Sequence, residues 1–331
     1  MTVEGWGNVG LDHDLRLYHG SANPALAAEV ARRLGIAVAP QMLGRFPDGE
    51  IKYRIDESIR GKDVYIIQST CPPVNEHLVE LLVMVDAARR ASAGRITALI
   101  PYYGYSRQEK KSTGREPITA KLVADLLVTA GVHRVVSIDL HTPAIQGFFD
   151  CYMDHLTALP ILADYLLAER RANNVVVAPD AGRVKLADRF AQILNVPLVV
   201  VHKRRGEEGQ PEVRTVVGEV AGKVPIIIDD MIATGGTIAE CVGALLEAGA
   251  VPAIRVAATH PLMVGPAVDR LSHEAIAEVV VTDTVPLPPE RMLPRMRVLS
   301  VAGLLADTIR RLHRNESISA LFTATLSQYA V

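Results

Sequence analysis

The stretch IIIDDMIATGGT, residues 226–237, joins a run of isoleucines to two adjacent aspartates and a Thr/Gly-rich turn. The pattern predicts a buried strand over Pro225–Ile228, then a tight loop and a helix. Backbone N–H groups of such a loop, at a helix N-terminus, bind phosphate. Asp229 and Asp230 can accept hydrogen bonds from vicinal hydroxyls. Phosphate and paired hydroxyls together indicate a 5-phosphorylated ribose; the alternative is an ordinary strand–turn–helix crossover with surface acids.

Composition indicates a cytoplasmic protein that binds neither nucleic acid nor membrane. The 331 residues are enough for two domains, and 49% of them are hydrophobic. No apolar run approaches the ~20 residues that span a bilayer. Three scattered cysteines argue against disulfides and zinc, and a net charge of −2 argues against a broad nucleic-acid surface. Residues 1–14 lack the pattern of a signal peptide, and we expect a flexible extension there.

Short β-rich runs alternate with amphipathic helices along the chain, which predicts parallel sheets covered by helices. Two segments, Gly94–Pro143 and Gly222–Pro261, also repeat the same order of strand, loop, helix and strand. The first segment is longer, and its extra residues fall in the charged loop Tyr102–Pro117. We interpret the repeat as two similar α/β domains; coincidental α/β periodicity is the alternative.

Two further groups of residues follow predicted strands. His141, in Asp139–His141, and Asp180 suit a Mg²⁺ site, because Mg²⁺ combines sparse protein ligands with water and substrate phosphates. The basic run Lys203–Arg205 precedes a Gly-rich stretch, and we expect it to open a hairpin whose cations close over a transferring phosphoryl group. A solvated turn is the alternative for the basic run.

The chain resembles the ribose-phosphate pyrophosphokinase (phosphoribosyl pyrophosphate synthetase) family from about Leu15 to Phe322. The Asp-Asp and Thr-Gly-Gly-Thr elements alone are weak evidence, since many phosphoribosyltransferases share them. The ordered series of other motifs is specific: Gly44–Glu50, Ile67–Asn75, Tyr105–Gln108, Arg115–Lys121, Asp139–His141, Gln146–Asp150 and Lys203–Arg205.

The resemblance implies an α/β fold of two similar phosphoribosyltransferase-type domains, each a mainly parallel sheet flanked by helices. The N-terminal domain, on the ATP side, would cover 15–157 and be joined by 309–331. The C-terminal domain, on the ribose 5-phosphate side, would cover 158–308. The implied reaction moves the β,γ-diphosphoryl group of ATP to O1 of ribose 5-phosphate, with Mg²⁺ as cofactor. The implied assembly is a hexamer built from dimers.

The same resemblance assigns roles to individual residues. Lys203 and Arg205 would be catalytic, and His141 and Asp180 would serve the metal. ATP would be held by Phe46, Asp48, Gly49, Glu50, Arg107, Gln108 and His141. Of these, Phe46, Asp48 and Glu50 would reach the ATP of a neighbouring subunit. Ribose 5-phosphate would be held by Arg205, Asp229, Asp230, Ala233, Thr234, Gly235, Gly236 and Thr237. A regulatory anion site would involve Ser58, Arg60, Gln146, Asp154, Ser317, Ser319 and Phe322.

Three residues depart from the family pattern. Ala233 stands where many relatives have a third acid, and Arg183 stands where a second glycine is common. Pro143 replaces a small hydroxyl residue of relatives that are regulated by phosphate. Two alternatives to an active synthetase stay open: a nucleobase phosphoribosyltransferase, which Ala233 suits, and a catalytically silent regulatory subunit. The duplicated domain argues against the first, and the retained loop residues argue against the second.

Overall fold

The computed structural model describes residues 14–170, 173–204, 213–319 and 321. The chain divides into two compact units. The first runs to Leu156 and takes up the chain again at Ala302, and the second covers Thr157–Val301. The return to the first unit therefore comes at Ala302 and not at 309, because one continuous helix beginning there packs against the first unit.

The first unit contains a five-stranded sheet in which all neighbouring strands are parallel, in the order β1-β4-β5-β6-β7. Its strands are β1 (Leu15–His19), β4 (Asp63–Ile67), β5 (Arg95–Ile100), β6 (Arg134–Ile138) and β7 (Tyr152–Leu156). A separate antiparallel hairpin, β2 (Gln41–Arg45) with β3 (Ile51–Ile55), was not predicted. The helices are α1 (Pro24–Leu34), α2 (Val74–Arg90), α3 (Thr119–Ala130) and α8 (Ala302–His313).

Helix α1 shows how local sequence sets the element boundaries in this unit. The side chain of Asn23 caps its N-terminus by accepting from the Leu26 N–H, and Pro24 occupies the first turn. Gly35 ends the helix in the left-handed conformation, at φ 72°. The buried apolar face of α1 includes Leu26 and Val30, and α1 packs against α8.

The second unit is built on a seven-stranded sheet in the order β10-β9-β8-β11-β12-β13-β14. All its neighbouring strands are parallel except β9 and β10, which form an antiparallel pair at one edge. Its strands are β8 (Asn174–Ala178), β9 (Leu198–Arg204), β10 (Val213–Val217), β11 (Val224–Ile232), β12 (Ile254–Pro261), β13 (Ile276–Thr282) and β14 (Met296–Leu299). Its helices are α4 (Leu159–Ala168), α5 (Val184–Leu194), α6 (Gly236–Glu247) and α7 (Ala267–Leu271).

Strand β11 lies at the centre of this sheet, and all nine of its residues are buried. Helices cover both faces of the sheet, and they bury the side chains on both sides of its central strands. Such strands therefore consist mainly of consecutive apolar residues. Side chains of β11 contribute to two core clusters: Ile227 belongs to one, and Ile226 and Ile228 belong to the other. The predicted α/β fold with two mainly parallel, helix-flanked sheets is confirmed. Among the described helices, none has the length and apolar character to cross a bilayer.

Candidate active site

The loop between β11 and α6 presents backbone donors at a helix N-terminus. Gly235 precedes the helix at φ 71° and ψ 5°, a left-handed conformation that favours glycine, and Ala239 N–H donates to its carbonyl at 2.9 Å. No side chain of the described residues caps this N-terminus. The first N–H groups of a helix have no intrahelical acceptor. The loop therefore offers the arrangement that binds a phosphate.

Neighbouring backbone and one arginine hold this loop in place. Val264 N–H donates to the Ala233 carbonyl at 2.9 Å, and Arg270 Nη1 on α7 donates to the Thr234 carbonyl at 2.9 Å. A Cβ atom built at Gly236 would lie 3.3 Å from Arg270 Nη1, which leaves little room for a larger residue. Thr234 and Thr237 are exposed. Arg270 carries no signal in its local sequence that would have identified it as a partner of this loop.

The predicted acids lie within strand β11, not after its end, because the strand continues to Ile232. Arg183 Nε lies 3.0 Å from Asp229 Oδ1, and Arg183 Nη2 lies 3.2 Å from Asp230 Oδ1. Burial raises the pKa of Asp229, and repulsion from Asp230 raises it further. The charge of Arg183 opposes both effects, but the pKa of Asp229 stays well above its ordinary value. The guanidinium of Arg183 thus contacts the carboxyl groups of both Asp229 and Asp230.

The predicted metal residues belong to different units. Asp180 follows β8 in the second unit, and its Oδ1 accepts from the backbone N–H groups of Gly182 at 2.7 Å and Arg183 at 3.2 Å. His141 follows β6 in the first unit. Strand β6 ends at Ile138 and Asp139 has φ 39°, so this segment is not an extended strand and the i, i+2 argument for Asp139 and His141 does not apply to it. The described residues contain no group of three or more His, Cys, Asp or Glu side chains able to hold a metal.

The long loop Tyr102–Pro117 leaves β5 and leads to α3. Gly104 lies so close to Thr70 that a Cβ atom there would meet the Thr70 carbonyl oxygen at 2.4 Å. Arg107 and Gln108 are exposed on this loop. The Gln108 side chain accepts from the Thr119 hydroxyl at the start of α3, and its backbone carbonyl accepts from Ala120 N–H at 3.2 Å. The loop therefore presents Arg107 and an anchored Gln108 to solvent.

The predicted residues Phe46–Glu50 form the tip of the β2–β3 hairpin. Phe46 N–H donates to the Glu50 carbonyl at 2.8 Å, and Gly49 takes φ 95°. The Asp48 carboxylate accepts from Glu50 N–H at 3.1 Å. Phe46 is 44% exposed, with Lys52 Nζ 5.3 Å from its ring centre. An aromatic ring and two acids thus project at the end of a two-stranded arm.

The remaining predicted residues are only partly described. Lys203 lies on the β9 backbone and pairs with Arg214 of β10, whereas Arg205 lies outside the described residues, as do Phe322 and most of the 1–14 extension. Several residues of the predicted regulatory anion site each make a hydrogen bond or an ion pair with a different partner in the first unit. Arg60 donates to Ser92 at 3.2 Å, Gln146 to the Pro143 carbonyl at 3.1 Å, and Ser319 N–H to Ser317 at 3.2 Å, while Arg134 pairs with Asp154. Ser58 is exposed.

Comparisons with known proteins decide the family. Residues 15–131 match the N-terminal domain of ribose phosphate pyrophosphokinase, and residues 208–323 match the phosphoribosyl synthetase-associated domain. The ribose-phosphate pyrophosphokinase of Caldanaerobacter subterraneus subsp. tengcongensis is 50% identical over 94% of this chain and 98% of its own length. The chain belongs to the ribose-phosphate pyrophosphokinase family.

Other relatives agree with this assignment. The Bacillus subtilis ribose-phosphate pyrophosphokinase is 48% identical over 94% of this chain and 98% of its own length. The crystal structure of phosphoribosylpyrophosphate synthetase from Mycobacterium smegmatis has a TM-score of 0.86 at 48% identity, covering 91% of this chain and 99% of that one. The predicted family and two-domain α/β fold are confirmed, and the chain is an enzyme of this family.

Proposed function

We propose that the protein transfers the β,γ-diphosphoryl group of ATP to O1 of ribose 5-phosphate, forming 5-phosphoribosyl 1-diphosphate and AMP. The observation that carries the proposal is the β11–α6 segment. It places two buried carboxylates a few residues before an uncapped helix N-terminus. This order matches the chemistry of the sugar, whose hydroxyls need acceptors and whose 5-phosphate needs N–H donors. Relatives that align with almost the whole chain carry the corresponding name.

In this proposal, the donors at the start of α6 bind the 5-phosphate, and Asp229 and Asp230 accept hydrogen bonds from the ring hydroxyls. The O1 oxygen attacks the β-phosphorus of ATP, the bond from that phosphorus to the α,β-bridging oxygen breaks, and AMP leaves. The O1 proton passes to solvent. Lys203 and Arg205 neutralise charge in the transition state, since phosphoryl transfer depends on positioning and charge stabilisation.

Arg107 and Gln108 bind ATP from the same chain, and Phe46–Glu50 reach the ATP of a neighbouring subunit. The exposed ring and acids at the hairpin tip support this assignment, because they project from a two-stranded arm. Activity would then require a homo-oligomer, for which we propose a hexamer built from dimers. Dilution that separates the subunits should abolish activity, and a fully active monomer in light scattering with a parallel assay would contradict this arrangement.

Mg²⁺ fits this site as an ion that arrives with ATP. Within the described part of the chain no three-ligand metal cluster occurs, and Mg²⁺ is usually held by substrate phosphates and one or two protein groups. We assign Asp180 and His141 to it. The ion supplies charge neutralisation on the phosphates when bound. Chelation should abolish AMP formation, and added Mg²⁺ should restore it; an equal rate without divalent metal would contradict the assignment.

The deciding assay is AMP formation by the purified protein from ATP, Mg²⁺ and ribose 5-phosphate. Lys203→Ala and Arg205→Ala should each lower kcat by about 10²–10³, by analogy with other preorganised charge stabilisers. Ribose 5-phosphate affinity should change little in Lys203→Ala. Lys223→Ala is the matched control, since Lys223 lies before β11 at the opposite end of the strand from the loop. Formation of a nucleotide from a free base, without AMP formation, would favour a phosphoribosyltransferase. Unchanged rates in both Lys203→Ala and Arg205→Ala would show that the basic run is a solvated turn with no role in catalysis.

A further inference from the structure

Arg183 contacts both carboxylates that the proposed function gives to the sugar hydroxyls. Its Nε and Nη2 atoms lie 3.0 Å from Asp229 Oδ1 and 3.2 Å from Asp230 Oδ1. The side chains are 14% exposed for Arg183, 11% for Asp229 and 5% for Asp230. An ion pair this well buried is screened little by solvent, so it affects the charge and orientation of both acids.

The turn after β8 delivers the guanidinium to this position. Asp180 caps the turn Ala181–Arg183 through hydrogen bonds to two backbone N–H groups. A Cβ atom at Gly182 would lie 3.1 Å from Asp180 Oδ1, so a small residue suits the position. The turn packs against β11 and leads directly into α5. Arg183 is therefore directed by the same capped turn that holds Asp180.

Asp229 is fixed on one oxygen by two donors. Its Oδ1 accepts the Asp230 N–H at 2.8 Å as well as Arg183 Nε. The charge of Asp230 raises the pKa of Asp229, and the charge of Arg183 lowers it. On the adjacent strand β12, the buried His260 is hydrogen-bonded to Thr284 at 2.9 Å. Arg183 is thus a cation that contacts both acids.

Two adjacent buried carboxylates repel each other, which favours protonation of one of them, and a neighbouring cation opposes that protonation. A protonated carboxyl gains a donor and loses acceptor capacity. A vicinal diol approaching with two O–H donors needs both groups as acceptors. A guanidinium suits this task because it holds two oxygens in a fixed fork, which an ammonium cannot do.

We propose that Arg183 is a positioning residue for the sugar, which holds Asp229 and Asp230 side by side as acceptors for the 2- and 3-hydroxyls of ribose 5-phosphate. The proposal rests on the proposed function. Arg183 stays in place when the sugar binds and contacts the carboxylates, not the reacting atoms. If the sugar instead displaced the guanidinium, removal of Arg183 would strengthen ribose 5-phosphate binding.

The test is calorimetric binding of ribose 5-phosphate to the whole protein, without ATP, together with steady-state kinetics. Arg183→Gln should weaken ribose 5-phosphate binding about 10- to 100-fold, the range expected when hydrogen bonds to charged groups are lost. KM for the sugar should rise more than kcat falls, and KM for ATP should stay within about twofold. Arg183→Lys should recover part of the affinity, because it restores the charge without the fork.

Two controls separate positioning from general damage. Arg189→Gln removes an exposed arginine on helix α5, which directly follows the turn that holds Arg183, and should leave binding unchanged. 2-Deoxyribose 5-phosphate lacks one hydroxyl, so Arg183→Gln should weaken its binding by a smaller factor than it weakens binding of ribose 5-phosphate. Circular dichroism verifies the fold of Arg183→Gln, and Arg183→Lys keeps the test available if that variant does not fold.

Three results would overturn the proposal: tighter or unchanged ribose 5-phosphate binding in both Arg183 variants, an equal loss in Arg189→Gln, or an equal factor for the two sugars. Tighter binding would show that the guanidinium competes with the sugar. Failure of the unmodified protein to bind ribose 5-phosphate or release AMP is a different result, which refutes the proposed function itself.

Discussion

Gly235→Ala tests the role of the β11–α6 loop against a closely matched control. Gly235 has φ 71°, and a Cβ atom built there would lie 3.5 Å from Arg270 Cβ, an ordinary contact distance. The penalty thus comes from the backbone, where a left-handed L-residue costs about 1–2 kcal/mol. Gly249, after α6, has φ 84°, and its Cβ would also meet its nearest neighbour, Ala221, at 3.5 Å. Both alanine variants should lose similar stability, roughly 2–8 °C in Tm for a unit of this size.

Their effects on the sugar should differ. If the loop of Gly235→Ala relaxes toward negative φ, the N–H donors at the start of α6 turn away from the phosphate. Loss of one hydrogen bond to a charged group should raise the Kd for ribose 5-phosphate about tenfold or more. Gly249→Ala should leave that Kd unchanged, since it lies at the other end of α6. Differential scanning calorimetry and titration calorimetry measure the two quantities. Equal Kd values in the two variants would refute the phosphate-binding role of the loop.

Two further predictions concern stability and pH. The pKa of Asp229 is higher in the folded protein than in the unfolded chain. The free energy of unfolding therefore falls as pH rises from the unfolded-state pKa to the folded-state pKa. The loss is about 1.4 kcal/mol for each unit of difference between the two pKa values. Asp229→Asn should therefore melt higher than the unmodified protein at neutral pH and equally near pH 4, with exposed Asp269→Asn as control. Burial raises the pKa of Asp63, but hydrogen bonds from His313 and Arg95 lower it more, so the pKa lies below its ordinary value. These hydrogen bonds therefore stabilise the fold above the ordinary pKa of an aspartate, and this stabilisation is lost as pH falls through the folded-state pKa of Asp63. His313→Ala should lower the urea-derived free energy of unfolding by about 1.5–3 kcal/mol at neutral pH, and an unchanged value would show that this contact does not hold α8.

The alternation of strands and helices was readable from sequence because burial on both sheet faces imposes long apolar runs. The position at which β11 ends could not be predicted from the sequence. Two aspartates looked like the end of a strand at Ile228, yet the strand continues to Ile232. The continuation is possible because Arg183, which precedes Asp229 by 46 residues, supplies the compensating charge. A pattern confined to the strand contains no information about that partner.

The same limitation explains the other differences. The β2–β3 hairpin has only partly buried strands, and Gly44 within β2 weakens its strand signal. Asp139 adopts a left-handed φ, which periodicity does not anticipate. Arg270 reaches the Thr234 carbonyl from a short helix that follows the next strand. Each of these features depends on tertiary neighbours, whereas the tight turn before α6 depends on local glycine chemistry and was readable from sequence.

The β11–α6 segment combines two features that disfavour the isolated fold. Gly235 takes a conformation that most residues avoid, and Asp229 and Asp230 lie together in the sheet interior. The buried isoleucines before the acids offset these penalties, since each contributes on the order of 1.5–3 kcal/mol. This gives the apolar half of β11 a role in the site: it fixes the strand from which the acids project. Replacing the acids to stabilise the protein would remove the acceptors proposed for the sugar, so stability and ribose binding should change in opposite directions at these two positions.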